Sequence, residues 1–410
     1  MSTVTLPAGA PPGAEQAMAR WTRAAGQSEL RRMLSLTTRP GLLSLALGLP
    51  APELFPREAY GEAARRALED DALSLQYGPP YRRLRGQLAE LMRRRGVDCR
   101  EEQIFLTAGA QQGMALLARL LLEPGGEVVL EEISYTGMQI VLEPFEPRVL
   151  TVPTDLETGL DVGAVEALLE GGARPAFIYA MTEAHNPLGV SLAAEKRARL
   201  AGLARRYRVP VVEDDVYGFL SYDAPAPPPL RGHDDEWVFY VGSLSKILAP
   251  SLRVGWVVVP EWMTPKLSLA RDASDLDVAS FSQRVVSNYL ATGHLEEHLP
   301  VLRREYAARR DTMLAALGEH MPAGTRWHRP PGGLFVWVEL PEGIDTGELL
   351  ELAVETERVA FVPGHAFRSG AGLVRRNCMR LNFSNCDHER IRDAAARLGR
   401  AVERLGHFRQ

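Results

Sequence analysis

The sequence has few cysteines, no excess of basic charge and no long apolar run. Its three cysteines, Cys99, Cys378 and Cys386, form neither a CxxC metal motif nor a disulfide framework, which favours a reducing cytoplasm. No apolar run reaches the roughly 18–20 residues that cross a bilayer, and the start of the chain lacks the pattern of a secretion signal. With 46% hydrophobic and 24% charged residues, the composition is typical of a soluble globular enzyme.

The charge pattern gives no sign of nucleic-acid binding. The net charge is −5 over 410 residues, so there is no electrostatic footprint for a polyanion. The segment 82–95 is rich in arginine, which is compatible with a basic patch. Since acidic residues balance the chain overall, we interpret this segment as a solvated helix face.

Apolar and amphipathic segments alternate over most of the chain. This alternation predicts an α/β domain with a largely parallel sheet, followed by an α+β domain in which two alternating strands lie between helices. The expected boundaries are a disordered lead over 1–15, an N-terminal segment over 16–48, a large domain over 49–295 and a small domain over 296–410. The predicted strands are Ile104–Leu106, Glu127–Leu130, Ala176–Met181, Val209–Glu213, Trp237–Gly242, Arg253–Val259, Pro331–Pro341 and Cys378–Ser384. The predicted helices include Ala17–Leu36, Gln111–Leu122, Ser191–Arg208 with Ser191 as its N-cap, Phe281–Thr292 and Leu295–His320.

The segment Trp237–Val259 is the most informative part of the chain. It predicts a buried strand, a tight turn with Ser243 and Ser245 before Lys246, and a second apolar strand after Arg253. Burial penalises a charged lysine and lowers its pKa, so that the neutral amine can form a Schiff base with an aldehyde cofactor. Nearby hydroxyls and an arginine would hold a phosphate. The alternative is a surface lysine, but the SxSK spacing between apolar strands favours pyridoxal 5'-phosphate.

Asp214 lies at the carboxyl end of an apolar strand, where ligand sites of parallel sheets collect. A carboxylate here would pair with a pyridinium nitrogen and keep the ring an electron sink. Tyr217, three residues later, would donate to the cofactor phenolate. Glu213 and Asp215 flank Asp214, and spacing alone does not choose among the three acids.

Asn186 follows another predicted strand, in an Asn-Pro-Leu-Gly turn. Such turns are frequent loop devices and are weak evidence alone. A buried carboxamide beside the cofactor phenolate would favour its ionised form. We interpret the neighbouring His185 as a pocket neighbour or a simple loop residue.

Three further features complete the candidate site. Small residues open the helix that begins near Ala110 and Gln111, and backbone amides at such a start suit a phosphate. Tyr135 follows a strand and would stack on a pyridine ring, although a core tyrosine is an equal explanation. Arg380 lies on the alternating strand Cys378–Ser384, on the same predicted face as the polar Asn382 and Ser384. Its guanidinium would clamp a substrate carboxylate, the alternative being an exposed strand arginine.

Taken in order, eight motifs resemble the fold type I pyridoxal-phosphate enzymes of the class I/II aminotransferase family. Within the family they are similar to the branch that contains 2-aminoadipate aminotransferases and the aminotransferase-like domain of MocR regulators. The resemblance covers about residues 28–400 and implies a large domain with a mostly parallel seven-stranded sheet plus a smaller α+β domain. The motifs are LSLALGLPAPELFP, LQYGPPYRRLR, TAGAQQGM, HNPLG, EDDVYGF, GSLSKILAPSLRVGW, PGGLFVW and CMRLNFS.

The resemblance also implies roles for individual residues. Lys246 would be the Schiff-base lysine and proton shuttle, Asp214 the partner of the pyridine nitrogen, and Arg380 the ligand of the substrate α-carboxylate. Further cofactor contacts would come from Asn186, Tyr217, Ser243, Arg253, Tyr135, Ala110 and Gln111, and substrate contacts from Gly48 and Asn186. Tyr77 would reach the phosphate of a neighbouring subunit, which implies a homodimer. Arg31, next to Arg32, would contact a distal substrate carboxylate.

The implied activity is a cytoplasmic aminotransferase that moves an amino group between an α-amino acid and a 2-oxo acid, plausibly 2-oxoglutarate, with no nucleic-acid or membrane partner. Leu47 and Leu188 replace the small residues usual in this branch. They leave open a specialised enzyme that diverts the substrate carbanion to decarboxylation, β- or γ-replacement, oxidation or carbon–carbon bond formation. A DNA-binding regulator is a third alternative. Only about 30 residues precede the matching region, so we expect an enzyme instead.

Overall fold

A seven-stranded sheet forms the centre of the larger part of the molecule. The structure is a computed structural model that describes residues 11, 13–14, 16–24, 41–275, 278–372 and 374–407. The strand order is β2-β10-β9-β8-β7-β3-β4, and only β10 runs antiparallel to its two neighbours. The strands in that order are Ile104–Thr107, Gly255–Val258, Val238–Ser243, Val211–Asp214, Phe177–Met181, Glu127–Glu131 and Arg148–Val152. The predicted α/β class with a mostly parallel sheet is therefore confirmed.

Helices cover both faces of this sheet, which explains the continuous apolar runs of its central strands. Every residue of β7, β8 and β9 is buried, as in parallel sheets packed on two sides. The described helices α1–α12 are Arg20–Ala24, Arg57–Asp70, Arg82–Arg94, Ala110–Leu121, Thr136–Leu142, Val162–Glu170, Ala194–Tyr207, Thr264–Asp272, Ser280–Ala291, His294–His320, Thr346–Leu352 and His388–His407.

A second sheet of four strands forms the smaller part of the molecule. Its order is β11-β12-β15-β14, and the strands are Arg326–Trp327, Phe335–Glu339, Cys378–Asn382 and Val362–Pro363. The long helix α10 leads into it and packs against α12. Near the other end of the chain, β1 (Leu43–Ser44) pairs in parallel with β13 (Val359–Ala360). The segment before the large sheet therefore lies against the smaller part. Two short strands, β5 (Thr154–Asp155) and β6 (Gly159–Leu160), form a separate hairpin.

Two local predictions are wrong. Ser191 does not cap the next helix, which begins at Ala194; its hydroxyl donates to Glu183 Oε2 at 2.8 Å instead. The alternation of Cys378–Ser384 is typical of a half-buried strand, but the strand Cys378–Asn382 is buried along its whole length. The predicted helix Ala17–Leu36 is described only as Arg20–Ala24, since residues 25–40 lie outside the described part. Among the described helices, none has the length and apolarity to span a membrane.

Candidate active site

One edge of the large sheet collects the loops that carry the candidate residues. The parallel strands β7, β8 and β9 end there, and the segments after them carry Asn186, Tyr217 and Lys246. Helix α4 begins at the same edge after β2, while β10 enters there just after Arg253. Such an edge is where open α/β sheets bind ligands, because loops from several strands converge.

These loops surround a cavity of about 230 Å³. It is lined by eleven of the thirteen predicted site residues: Gly48, Ala110, Gln111, Tyr135, Asn186, Asp214, Tyr217, Ser243, Lys246, Arg253 and Arg380. Tyr77 lies elsewhere, in a groove with Ser280 and Phe281, and is 80% exposed. Arg31 lies outside the described residues. Residues far apart in sequence thus meet in one cavity.

Lys246 is half-buried at the wall of this cavity. Its Nζ donates a hydrogen bond to the carbonyl oxygen of Gly48 at 2.7 Å. Burial, followed by the positive charges of Arg380 and Arg253, lowers the pKa of Lys246 to about 8. A substantial fraction of the amine is therefore neutral near physiological pH, as a nucleophile or general base requires.

Asp214 is the acid of its strand that faces the cavity. Tyr179 donates its hydroxyl to Asp214 Oδ2 at 2.6 Å, while Oδ1 has no well-formed hydrogen bond with any described residue. Burial raises the pKa of Asp214 to about 6, against the opposing effect of the Tyr179 hydrogen bond. A protonated ring nitrogen in the cavity would give this oxygen the hydrogen-bond donor that it lacks.

The two flanking acids have partners away from the cavity. Glu213 accepts hydrogen bonds from the backbone amides of Leu230 and Arg231 at 2.7 and 2.9 Å. Asp215 pairs with Arg95 at 2.8 Å. Strand alternation puts both on the opposite side from Asp214, so the structure separates the three acids that sequence spacing left equivalent.

Arg380 is a buried cation without a carboxylate partner in the described part of the chain. Its Nη1 donates to Asn186 Oδ1 at 2.6 Å, Nη2 donates to the carbonyl of Ala46, and Nε has no partner among the described residues. The guanidinium carbon lies 4.2 Å from the ring centre of Phe335 and 4.9 Å from that of Phe367. Burial lowers the pKa of Arg380 to about 10. An uncompensated buried guanidinium of this kind calls for an anionic ligand.

The start of helix α4 forms a cradle for an anion. Its N-cap, Gly109, has φ +85°, and a Cβ there would lie 2.5 Å from an Nη of Arg253. The first amides of the helix have no intrahelical acceptor and point toward the cavity end of the helix. Ser243 and Arg253 line the same cavity, and Arg253 is fixed by a 2.6 Å hydrogen bond from Nη2 to the carbonyl of Ala108.

These groups fit pyridoxal 5'-phosphate. The cavity offers a low-pKa amine, a buried carboxylate oxygen without a well-formed hydrogen bond and an anion cradle. These match the aldehyde, ring nitrogen and phosphate of the cofactor. The fit rests on two observations. One is the Asp214 oxygen that lacks a well-formed hydrogen bond, and the other is position 109, where a side chain would collide with Arg253 and only glycine can be accommodated.

Sequence reasoning missed several lining residues. Thr136, Val216 and Met181 adjoin predicted site residues or end a predicted strand, so adjacency was a usable signal for them. Ser245 was named among the hydroxyls of the lysine turn but not among the individual cofactor contacts, and it also lines the cavity. Phe335, Met114 and Pro250 lie within three of the eight family-like motifs but were not singled out, because tertiary packing brings them to the cavity. Of the two unusual leucines, Leu47 lines the cavity, whereas Leu188 is buried outside its wall.

Comparisons with known proteins agree with this geometry. Residues 46–398 match the family described as aminotransferase class I and II. The aromatic-amino-acid aminotransferase 1 of Thermococcus litoralis is 39% identical over 385 residues, which cover 92% of this chain and 91% of the relative.

Solved structures are similar over nearly the whole chain. Kynurenine aminotransferase of Pyrococcus horikoshii has a TM-score of 0.89 at 36% identity, covering 95% of this chain and 98% of that one. The α-aminoadipate aminotransferase of Thermus thermophilus, complexed with N-(5'-phosphopyridoxyl)-L-leucine, has a TM-score of 0.87 at 36% identity. That match covers 96% of this chain and 99% of the other. The chain therefore belongs to the class I and II aminotransferases, the fold type I enzymes that transfer amino groups with pyridoxal 5'-phosphate.

Proposed function

We propose that this aminotransferase takes the amino group of an α-amino acid with a large aromatic or aliphatic side chain and passes it to 2-oxoglutarate. The observation that carries the proposal is the convergence of Lys246, Asp214 and Arg380 on one cavity. Lys246 is half-buried and the other two are buried, and each offers chemistry that its surroundings leave incomplete: a low-pKa amine, a carboxylate with an oxygen that lacks a well-formed hydrogen bond, and a cation without a counter-ion among the described residues.

The cofactor would be held from several sides. When bound, pyridoxal phosphate supplies an aldehyde that takes up the amino group and a ring that withdraws electrons from the α-carbon. Asp214 Oδ1 would accept from the ring nitrogen, Asn186 and Tyr217 would face the phenolate oxygen, and Tyr135 would lie against the ring. The phosphate would be held by Ser243, Arg253 and the amides of Ala110 and Gln111.

Lys246 would do the proton work. As the neutral amine, Nζ takes a proton from the substrate α-carbon, and the resulting ammonium returns a proton to the reacting centre. The carbonyl of Gly48 stabilises the ammonium between these events, because it accepts a hydrogen bond from Nζ. Arg380 and Arg253 oppose a lasting positive charge on Lys246, which keeps its pKa near the working pH.

The substrate would be oriented by Arg380 and selected by the cavity wall. Arg380 offers its Nε to the α-carboxylate that donor and acceptor have in common. Leu47, Val216 and Phe335 form an apolar part of the cavity wall, against which the donor side chain would pack. Relatives named for aromatic amino acids and for kynurenine support a large apolar donor. Arg31 would serve the distal carboxylate of the acceptor.

Transfer of a nitrogen label tests this function directly. The enzyme is incubated with ¹⁵N-labelled phenylalanine, leucine or 2-aminoadipate and unlabelled 2-oxoglutarate, and glutamate is analysed by mass spectrometry. We expect ¹⁵N in glutamate in equal amount to the oxo acid released, with phenylalanine or leucine preferred over 2-aminoadipate. Consumption of a donor without labelled glutamate contradicts the proposal and matches the diverted-carbanion alternative, for which the comparisons offer no support.

We also propose a cytoplasmic homodimer. All three cysteines are buried and free, as in reducing compartments. The segment around Tyr77 exposes Leu73 and Leu75 by 64% and 76%, an apolar surface of the kind that subunit contacts cover. Tyr77 lies outside the cavity of its own chain, so a role at a cofactor phosphate requires a neighbouring subunit.

A further inference from the structure

A second, larger cavity lies apart from the cofactor site. Its volume is about 630 Å³, and it shares no lining residue with the first cavity. It forms where helix α3 ends, beside the segment 218–228 and helix α10, and its wall includes Arg95, Gly218, Asp223 and Arg303. Nothing in the transamination chemistry uses this cavity.

Arg95 sets this cavity apart from the rest of the arginine-rich segment 82–95. Arg93 and Arg94 also line the cavity, but like Arg82 they are exposed, by 58%, 53% and 79% respectively, and their charges are paired with glutamates. The side chain of Arg95 is only 9% exposed. It donates from Nη2 to Asp215 at 2.8 Å, but its Nε has no partner among the described residues.

Arg303 brings a second guanidinium to the same cavity. Its Nε donates to the carbonyl of Phe219 at 2.8 Å, and it forms no ion pair with a carboxylate in the described part of the chain. Both guanidiniums line this one cavity, and burial together with the positive charge of Arg95 lowers the pKa of Arg303. Two neighbouring guanidiniums are stable together when an anion lies between them.

The acid on the wall does not supply that anion. Asp223 accepts from Nη1 and Nη2 of Arg310 at 2.7 and 3.0 Å, and Arg329 lies 3.6 Å away. Its charge is therefore already compensated by two other arginines. Asp215 is likewise a single carboxylate that serves Arg95, which leaves the positive charge of Arg303 in excess.

We propose that this second cavity binds a small oxyanion, a phosphate or carboxylate group, between Arg95 and Arg303. The planar fork of arginine matches both groups, because their oxygens accept paired N–H donors. The cavity lining includes Arg95, which pairs with Asp215, the residue that directly follows the strand-end acid Asp214. The proposal does not depend on which amino acid the enzyme uses.

Calorimetric titration of the holoenzyme with inorganic phosphate tests the site, with bound cofactor occupying the phosphate cradle of the first cavity. We expect saturable binding that weakens at least about tenfold in Arg303→Gln, since a charge-assisted hydrogen bond is lost. The matched control is Arg304→Gln, which removes an exposed arginine one residue along the same helix and outside the cavity. Arg95 is left intact, because changing it would also release Asp215.

A parallel titration with succinate distinguishes the two sources. If Arg303→Gln loses binding of phosphate but not of succinate, the ligand is a phosphate group. If the variant loses binding of succinate, the ligand is a carboxylate group. Either result supports the site. No saturable binding of either ion, or equal binding by wild type and Arg303→Gln, overturns it. If Arg303→Gln does not fold, a wild-type crystal soaked in selenate decides: an anomalous peak between Arg95 and Arg303 supports the site, and its absence overturns it.

Discussion

The side-chain nitrogen of Lys246 lies 2.7 Å from the carbonyl oxygen of Gly48, although the two residues are 198 positions apart. The contact joins the turn after β9 to the segment that follows β1. A carbonyl acceptor favours the ammonium form, while burial and two arginines favour the neutral amine. Because the second influence is the stronger, the pKa of this lysine is lowered to about 8.

The titration of Lys246 is the first prediction. In the cofactor-free protein, its acetylation by acetic anhydride should rise with pH around a midpoint of about 8, because only the neutral amine reacts and that form predominates above the pKa. Ordinary lysines have a midpoint near about 10.4. Peptide mass spectrometry after brief labelling at each pH measures the profile, and a midpoint near 10 would show that burial does not tune this amine.

Replacement of Asp214 by asparagine should separate activity from stability. The raised pKa of Asp214, about 6, means that the fold disfavours the charged form, so its contribution to stability decreases as pH rises from about 4 through 6. Asparagine cannot ionise. We therefore expect Asp214→Asn to stabilise the cofactor-free protein at pH 8 by up to about 3 kcal/mol. The gain should shrink as the pH approaches 4, and kcat should fall roughly 10²–10³-fold.

Asp215→Asn is the matched control for that experiment. It removes the adjacent carboxylate, but this one pairs with the largely buried Arg95, and its loss leaves an uncompensated cation. We expect destabilisation by about 3–5 kcal/mol, opposite in sign to the effect at Asp214. Denaturant unfolding of both variants at pH 8 gives the comparison. Equal destabilisation by the two variants would refute the assignment of separate roles.

These neighbouring acids also show how far the sequence can be interpreted. The sheet and its strand ends are predictable, because long buried runs carry the signal and loops at one sheet edge must converge. Spacing places Glu213, Asp214 and Asp215 together but does not say which face points to the cavity. That choice depends on strand register, which non-local pairing with β7 and β9 sets.

Other failures have the same non-local origin. Arg380 is placed correctly on its strand, yet the alternation is typical of a half-buried strand where the structure buries the whole strand. Phe335 reaches the cavity from the smaller part of the molecule, and its motif PGGLFVW does not indicate which of its side chains lines the site. Ser191 fails as a cap because the buried Glu183 takes its hydroxyl, a partner eight residues away.

Arg380→Lys is predicted to weaken the binding of both substrates. Lysine keeps the positive charge but lacks the planar fork that contacts Asn186 and offers a free Nε. We expect kcat/KM to fall about 10–100-fold for both donor and acceptor, because KM rises for each of them. The absorption of the bound cofactor should be retained. Arg376→Lys changes an exposed arginine paired with Asp345 and should leave the kinetics unchanged. A loss confined to one substrate would argue against a shared α-carboxylate contact.

Arg31 is predicted to contact the distal carboxylate of the acceptor. Arg31→Gln should raise the KM for 2-oxoglutarate about tenfold or more, while the KM for an apolar donor changes little, because only the acceptor carries a second carboxylate. Arg32→Gln tests the adjacent arginine under the same conditions. Steady-state kinetics of the two variants decide between them, and an equal effect on donor and acceptor in both would exclude this role for either residue.

Tyr77 is predicted to complete the cofactor site of a neighbouring subunit. The side chain is 80% exposed and lies outside the cavity of its own chain, so removing it should weaken cofactor binding only through the partner. Lys246→Ala and Tyr77→Ala should each lower activity at limiting cofactor. Mixing the two variants after dissociation, followed by reassociation, then tests whether one site draws on two chains.

The mixture gives opposite results for the two arrangements. If Tyr77 acts across the interface, a mixed dimer contains one site with both defects and one with none. Since about half of randomly paired dimers are mixed, activity should recover to about a quarter of the wild-type value. If Tyr77 acts within its own chain, every site keeps one defect and nothing is recovered. Lys246→Ala mixed with Asp214→Asn is the control, because both residues line the cavity of the same chain and cannot complement each other.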